Sequence, residues 1–142
     1  MKLKKSSLQF IDYTVNRLSF SAIPGFKADE NETFELNPQF SRKIQKVKNN
    51  HYAVTLDLQL GGDAKRLPFV IDVSITGAFI TKDIEKPIEY LKCNATAILF
   101  PYLRSILTML SSLASVPPII LPPVNFSAML NDHEKCIEKA ES

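Results

Sequence analysis

Few residues in this sequence have the type and spacing that catalysis or metal binding requires. His133 and Cys136 lie one helical turn apart near the carboxyl end and can in principle share a metal ion. Two ligands do not complete a site, because structural zinc takes four, and no Cys-x-x-Cys pair or His/carboxylate cluster supplies the others. The spacing therefore favours a structural pair over a metal centre.

Nucleophilic and phosphate chemistry is equally poorly supported. Cys93 needs a base such as His51 or His133, yet no catalytic motif surrounds it. The adjacent glycines Gly61-Gly62 belong to a predicted turn rather than to a phosphate-binding loop, and the acids between 29 and 35 predict a solvated loop. We therefore expect a protein that is not an enzyme and holds no cofactor and no metal.

Composition predicts one globular domain. The chain has 142 residues, 45% of them hydrophobic, so it can form a core, and we expect a single domain over 1–142 with flexible tails at 1–7 and 138–142. A net charge of +2 is too small to indicate nucleic-acid binding. The basic amino terminus lacks the apolar run of a signal peptide, and two widely separated cysteines make no disulfide framework, so we expect a cytoplasmic protein with reduced thiols.

Alternation of apolar and polar residues predicts four strands. They are expected at about 8–23, 34–47, 52–60 and 65–79. Short turns join the last three into an antiparallel meander, while a longer acidic loop lets the first strand pair elsewhere, in a Greek-key-like order. Polar residues 14–17 predict a bulge in the first strand, and Pro38 places the second strand at an edge or a break.

Helical patterns follow the strands. Asp83 can cap a short turn over 84–92, which Pro87 limits. A main helix is expected from Pro101 to about residue 114, and a last amphipathic helix at about 126–139. The sequence thus predicts an α+β fold with a four-stranded antiparallel sheet and two main C-terminal helices.

The main helix is apolar over more of its circumference than one sheet can cover. Seven large apolar side chains in water would forfeit roughly 10–20 kcal/mol, so some of them are expected to meet another subunit. The remaining arc is a stripe of hydroxyls and one arginine: Arg104, Ser105, Thr108, Ser111, Ser112 and Ser115. We predict an oligomer interface formed by Tyr102, Leu103, Ser105, Ile106, Thr108, Met109, Ser112 and Leu113.

Two alternatives for this helix stay open. The hydroxyl stripe can be simply the solvent-exposed face. Residues 98–116 are also nearly long enough to span a membrane, but Pro101, Arg104 and the serines weigh against insertion.

Two motifs with the expected elements between them resemble the SecB chaperone family. They are LFPY at 99–102, followed by Arg104, and LPPVNF at 121–126, with a weaker match at Asp72-Val73 and 77–79. The similarity extends loosely over 8–130. It implies a tetramer arranged as a dimer of dimers, and an ATP-independent holdase that binds unfolded polypeptides in protein export.

The resemblance also implies where clients bind. Apolar grooves would be formed by the loop after the first strand, the Pro-rich link and the last helix. The corresponding positions are Phe34, Leu36, Phe40, Ile119, Ile120, Leu121, Val124, Met129 and Leu130. An exposed apolar surface of this kind is typical of a binding site.

The sequence departs from the family at the surface that docks the translocase motor SecA. That surface is acidic in the family, and Asp72 keeps one of its carboxylates, but the first strand carries Arg17 and Ser21 where further acids are expected. The isoelectric point of about 8.5 is also unlike the usually acidic family. Service to SecA is therefore open, and the alternative is a dedicated SecB-like chaperone for one partner, such as the antitoxin of a toxin–antitoxin system.

Overall fold

The computed structural model describes residues 7–27, 38–62 and 67–113. The Pro-rich link and the predicted last helix lie outside these ranges. The described elements are β1 (Ser7–Ala22), β2 (Gln39–Lys48), β3 (His51–Leu60), β4 (Phe69–Lys82) and α1 (Pro87–Leu113).

The four strands form one antiparallel sheet in the order β1-β4-β3-β2. Strands β2, β3 and β4 follow one another as a meander, and β1 lies beside β4, which is the predicted Greek-key-like arrangement. Asn50 and Gly61 turn the chain at the ends of β3, both with positive φ, a conformation that asparagine and glycine tolerate best. The predicted α+β class is confirmed.

Strand β1 contains two bulges. Its pairing with β4 shifts register between Phe10 and Asp12 and again between Val15 and Arg17, so Ile11 and Asn16 are the extra residues. The second bulge lies within the predicted segment 14–17. The first was not expected, because LQFIDY reads as an uninterrupted strand.

The core lies between the sheet and α1. Alternate residues of β3, from Tyr52 to Leu60, are all buried, as their period of two predicts. They join Ile71, Val73, Ile75 and Phe79 from β4. Strand β2 is at the sheet edge, directly after Pro38, in agreement with the edge prediction.

The helix prediction was wrong in its boundaries. A single helix runs from Pro87 to Leu113, where we expected a short turn followed by a separate helix from Pro101. Pro87 is the first residue of α1, where its missing N–H costs nothing, and the Lys86 carbonyl accepts the first helical hydrogen bond from Tyr90 N at 3.1 Å. Asp83 lies four residues before the helix, so the residue directly preceding α1 is Lys86 and not Asp83 as predicted.

Helix α1 continues through Pro101 because its other side is held by packing. Proline cannot donate to the carbonyl of Ala97, but both residues lie on the exposed side, where water can replace that bond. Leu99, Phe100 and Leu103 are buried on the opposite side. Burial of these side chains outweighs the preference of proline for a helix start.

Gly77 lets α1 approach the sheet closely. A Cβ at Gly77 would lie 2.7 Å from Leu99 Cδ2 and 2.8 Å from Phe79 Cε2, closer than carbon atoms pack. Leu99 therefore occupies the space above this glycine. By length and composition α1 could also cross a membrane; a third of its most apolar window is buried, and its buried side chains pack against the sheet.

Candidate functional site

Strand β1 exposes apolar side chains on the face of the sheet that carries α1. Val15 and Leu18 pair with Ile75 and Val73 of β4, which are fully buried, so all four share one face. Val15 is nevertheless 42% exposed and Leu18 49%. The described part of the chain thus covers this face over β4 but leaves it open along β1.

One flank of α1 continues this exposed apolar surface. The Tyr102 ring lies 4.6 Å from that of Tyr13 and 5.7 Å from that of Phe10, between ring centroids, which brings this flank against β1. Further along the helix, Met109 is 63% exposed and Leu113 78%. The combined surface is defined by Val15, Leu18, Tyr102, Met109 and Leu113, and we call it the open apolar face.

The predicted oligomer-interface residues lie at different depths on α1. Tyr102, Ser105, Met109, Ser112 and Leu113 are exposed, and Ile106 and Thr108 are half-buried. Leu103 is fully buried against the core of its own chain and has no surface to offer, so we leave it out of the proposed interface. The predicted hydroxyl stripe is also broken, because Ser111 is fully buried and donates to the Thr108 carbonyl at 2.8 Å.

A shallow depression of about 510 Å³ runs along the outer side of α1. Its lining comes from Pro101, Arg104, Ser105, Thr108 and Met109. Small and hydroxyl-bearing side chains here permit close approach of another surface. This is the side on which the interface was predicted.

Only Phe40 of the predicted client groove lies within the described residues. It is half-buried on β2, with its ring centroid 5.9 Å from that of Phe100 on α1. The other groove predictions lie outside the described ranges: Phe34, Leu36, Ile119, Ile120, Leu121, Val124, Met129 and Leu130.

On the opposite face of the sheet, the predicted docking carboxylate is paired with Arg17. Arg17 Nη2 donates to Asp72 Oδ1 at 2.8 Å and lies 3.7 Å from Asp57 Oδ1. The hydrogen bond to Asp72, followed by the charge of the same carboxylate, raises the pKa of Arg17. The cation thus neutralises much of the negative potential that Asp57 and Asp72 would otherwise present.

The bulge at Asn16 places this cation. Because Asn16 is the extra residue, Arg17 comes opposite Ser74 on the outer face and can reach carboxylates on two strands. The Asn16 side-chain amide donates to Ser74 Oγ at 3.2 Å and to Thr76 Oγ1 at 2.7 Å. The sequence analysis did not identify Asp57 as a second carboxylate near Arg17. Its position among the residues of β3 that face away from the core was the signal that could have indicated it.

The residues considered for catalysis do not come together in the described part of the chain. His51 Nδ1 lies 2.8 Å from the Asn49 carbonyl in the β2–β3 turn. Cys93 is disulfide-bonded, contrary to the expected reduced thiols, and therefore carries no nucleophilic thiolate. Residues 7–27, 38–62 and 67–113 contain no group of three side chains suited to a metal, while His133 and Cys136 lie outside these ranges.

Comparison with known families decides the assignment. The family model described as preprotein translocase subunit SecB matches residues 3–136, nearly the whole chain. This chain belongs to the SecB family. The SecB resemblance seen in its motifs is thereby confirmed.

Individual relatives agree with this SecB assignment. The protein-export protein SecB of Buchnera aphidicola is 32% identical, with 94% of this chain and 97% of the relative aligned. An uncharacterized protein of Methanocaldococcus jannaschii is 29% identical, with 95% of this chain and 90% of that protein aligned.

Solved structures share the fold. A Mycobacterium tuberculosis SecB-like chaperone, in complex with a ChAD peptide from the HigA1 antitoxin, superposes with a TM-score of 0.67 at 14% identity. The alignment covers 82% of this chain and 90% of that one. A Streptococcus agalactiae protein of unknown function gives a TM-score of 0.53 at 18% identity, covering 84% and 99%.

Proposed function

We propose that this SecB-family chain is a cytoplasmic molecular chaperone, a holdase that binds unfolded polypeptides in apolar grooves without ATP and serves protein export. The observation that carries this proposal is the family match over residues 3–136. The function requires no catalytic residue, cofactor, nucleic acid or membrane insertion. Capture of a client then depends on apolar contact and on the flexible side chains that provide it.

The open apolar face supports a binding role. Large apolar side chains cost free energy in water and are tolerated at a surface when something binds to them. In our proposal this cost is met partly by self-assembly through α1, as a tetramer built from two dimers, and partly by client segments in a groove that includes Phe40. Self-assembly and client binding would each reduce the apolar area that this surface exposes to water.

Aggregation of a denatured client tests the holdase proposal. A stoichiometric excess of the protein, without nucleotide, should suppress light scattering by a reduced or chemically denatured client, and added ATP should change nothing. A folded protein of similar size that does not bind unfolded chains is the control. Unchanged client aggregation would contradict the proposal.

A dedicated chaperone for one partner, such as an antitoxin, is the second candidate. Two observations favour it: the similarity to a SecB-like chaperone solved with an antitoxin peptide, and the pairing of Arg17 with the carboxylates at the site predicted to dock SecA. Tagged protein expressed in its own host should then capture one dominant partner, whereas an export chaperone should capture many clients.

A further inference from the structure

The hairpin that joins β2 and β3 exposes an apolar side chain between two cations. Val47 is 66% exposed, the most exposed large apolar side chain of the four strands. It is an extra residue in the ladder, because the register of β2 with β3 shifts between Lys46 and Lys48. Both lysines are exposed. A bulge at the end of β2 thus displays the sequence Lys-Val-Lys to solvent.

The tip of this hairpin is tied to the end of β4. Asn50 has a positive φ of 62°, and its carbonyl accepts a hydrogen bond from Thr81 N at 2.8 Å. Thr81 itself is buried. On the other side of the turn, His51 Nδ1 lies 2.8 Å from the Asn49 carbonyl. The exposed side chains are therefore presented from a fixed backbone, which lowers the entropic cost of binding through them.

A third exposed cation lies at the same end of the sheet. Lys82 directly follows Thr81 and pairs with Ser7, the first residue of β1. The sequence that leads into Ser7, MKLKKS, is basic as well. We call the set Lys46, Val47, Lys48 and Lys82 the basic end of the sheet.

Acidic residues at this end belong to the approach to α1. They lie in the connection from β4 and in the first turn of the helix: Asp83, Glu85 and Glu89. Lys48 pairs with His51, whose neighbour Tyr52 is buried under α1, and Lys82 follows the buried Thr81. Because successive side chains of a strand alternate between faces, Lys48 and Lys82 lie on the face away from α1. The positive charge is thus greatest on the side opposite the helix.

We propose that the basic end of the sheet docks on a membrane surface that contains anionic lipids. The lysine ammonium groups lie among the lipid phosphates, and the Val47 side chain enters the headgroup region, where it leaves water. An aliphatic side chain set between lysines favours a lipid surface over a nucleic acid, which is bound through phosphate contacts and aromatic stacking. The open apolar face lies along β1, at the other edge of the sheet from β2, so membrane docking does not depend on the proposed chaperone function.

Vesicle flotation tests the charge attraction. The purified full-length protein should float with vesicles of phosphatidylglycerol and phosphatidylcholine but not with phosphatidylcholine alone, and high salt should release it. Lys46→Gln together with Lys48→Gln should weaken binding about tenfold. The matched control, Lys27→Gln together with Lys43→Gln, removes the same charge away from the hairpin tip and should bind nearly as tightly as the unchanged protein. No binding to the anionic vesicles, or equal weakening in both variants, would overturn the proposal.

A fluorescent reporter at Val47 tests contact with lipid. The sequence contains no tryptophan, so Val47→Trp introduces a single one. Anionic vesicles should shift its emission to the blue, and brominated lipids should quench it. The control is Ile23→Trp, directly after β1 at the opposite end of the sheet, which should show neither effect. Vesicle binding without a shift in Val47→Trp, or an equal shift in both variants, would overturn the proposal.

Competition with RNA separates the two classes of polyanion. If polyuridylate binds the protein as tightly as anionic vesicles do, and the emission of Val47→Trp does not shift with vesicles, the basic end is a nucleic-acid site and the membrane proposal is overturned. Weak polyuridylate binding together with a vesicle-induced shift supports membrane docking.

Discussion

Arg17 shows how one side chain changes the character of a whole surface. It lies between two carboxylates of different strands and occupies the position from which a cationic partner would bind them. Exposed ion pairs of this kind contribute little to folding stability, so its main effect is on the potential of the sheet face. The consequence is a sheet face with less negative charge at this cluster than the SecB resemblance predicts.

Replacing Arg17 should therefore strengthen binding of a cationic partner. In Arg17→Ser the carboxylates of Asp57 and Asp72 lose their neighbouring cation, and we expect SecA affinity to rise about three- to tenfold at low salt. Isothermal titration with SecA measures this. The control is Lys27→Ser, which removes an exposed cation away from this cluster and should leave SecA affinity unchanged. If Arg17→Ser binds SecA no more tightly than the unchanged protein does, the docking role predicted for Asp72 is contradicted.

Gly77 has an effect on stability rather than on recognition. Alanine there would push its Cβ against Leu99 and Phe79, both of them buried, and we expect the free energy of unfolding to fall by about 1–3 kcal/mol. Chemical denaturation at fixed protein concentration measures the loss. The control is Ala78→Ser, which lies one residue further along β4 and faces away from α1. It should change the free energy of unfolding by less than about 0.5 kcal/mol. A similar loss of stability in both variants would argue against close packing at Gly77.

At the scale of elements, the strands could be predicted and the helix only in part. Alternation along β3 identified its buried side correctly, because one face of a sheet directly imposes a period of two. We predicted helix boundaries at Pro87 and Pro101 from the local conformational preference of proline. The helix is instead continuous, because Leu99 and Leu103 pack against strands that are distant in sequence. Such contacts leave no local signal.

The position of the Arg17 cluster could not be predicted for a similar reason. Which carboxylates a cation of β1 reaches depends on the register with β4, and that register changes at Ile11 and at Asn16. A one-residue shift moves a side chain to the other face of the sheet. The polar residues 14–17 indicated a bulge in β1, but they did not indicate which carboxylates of the neighbouring strands Arg17 would reach.

The exposed side of α1 makes a prediction about assembly. Met109 is exposed and lines the depression on the outer side of the helix, so Met109→Glu should place a charge in the proposed interface and dissociate the oligomer. Light scattering coupled to size exclusion measures the mass. The control is Ile88→Glu, on the exposed first turn of α1, which should leave the mass unchanged. A dimer or tetramer that persists in Met109→Glu would place the interface elsewhere.

For the whole molecule, assembly and stability should be linked. If the open apolar face is covered by other copies, folding and association are coupled, and the thermal midpoint rises with protein concentration. We expect a rise of several degrees over a hundredfold concentration range for the unchanged protein, as mass action and typical unfolding entropies require. Calorimetry measures it, and a concentration-independent midpoint would indicate a stable monomer.

The two bulges of β1 have a consequence for how the chain length can vary. Ile11 and Asn16 are additional to the ladder, so removing either one joins residues that already lie on their proper faces. Removing Thr14 instead would turn Tyr13 and Phe10 away from Tyr102. Insertions and deletions in this strand are therefore expected to be tolerated at these two positions and selected against between them, which makes the bulges natural places for gaps when SecB-family sequences are aligned.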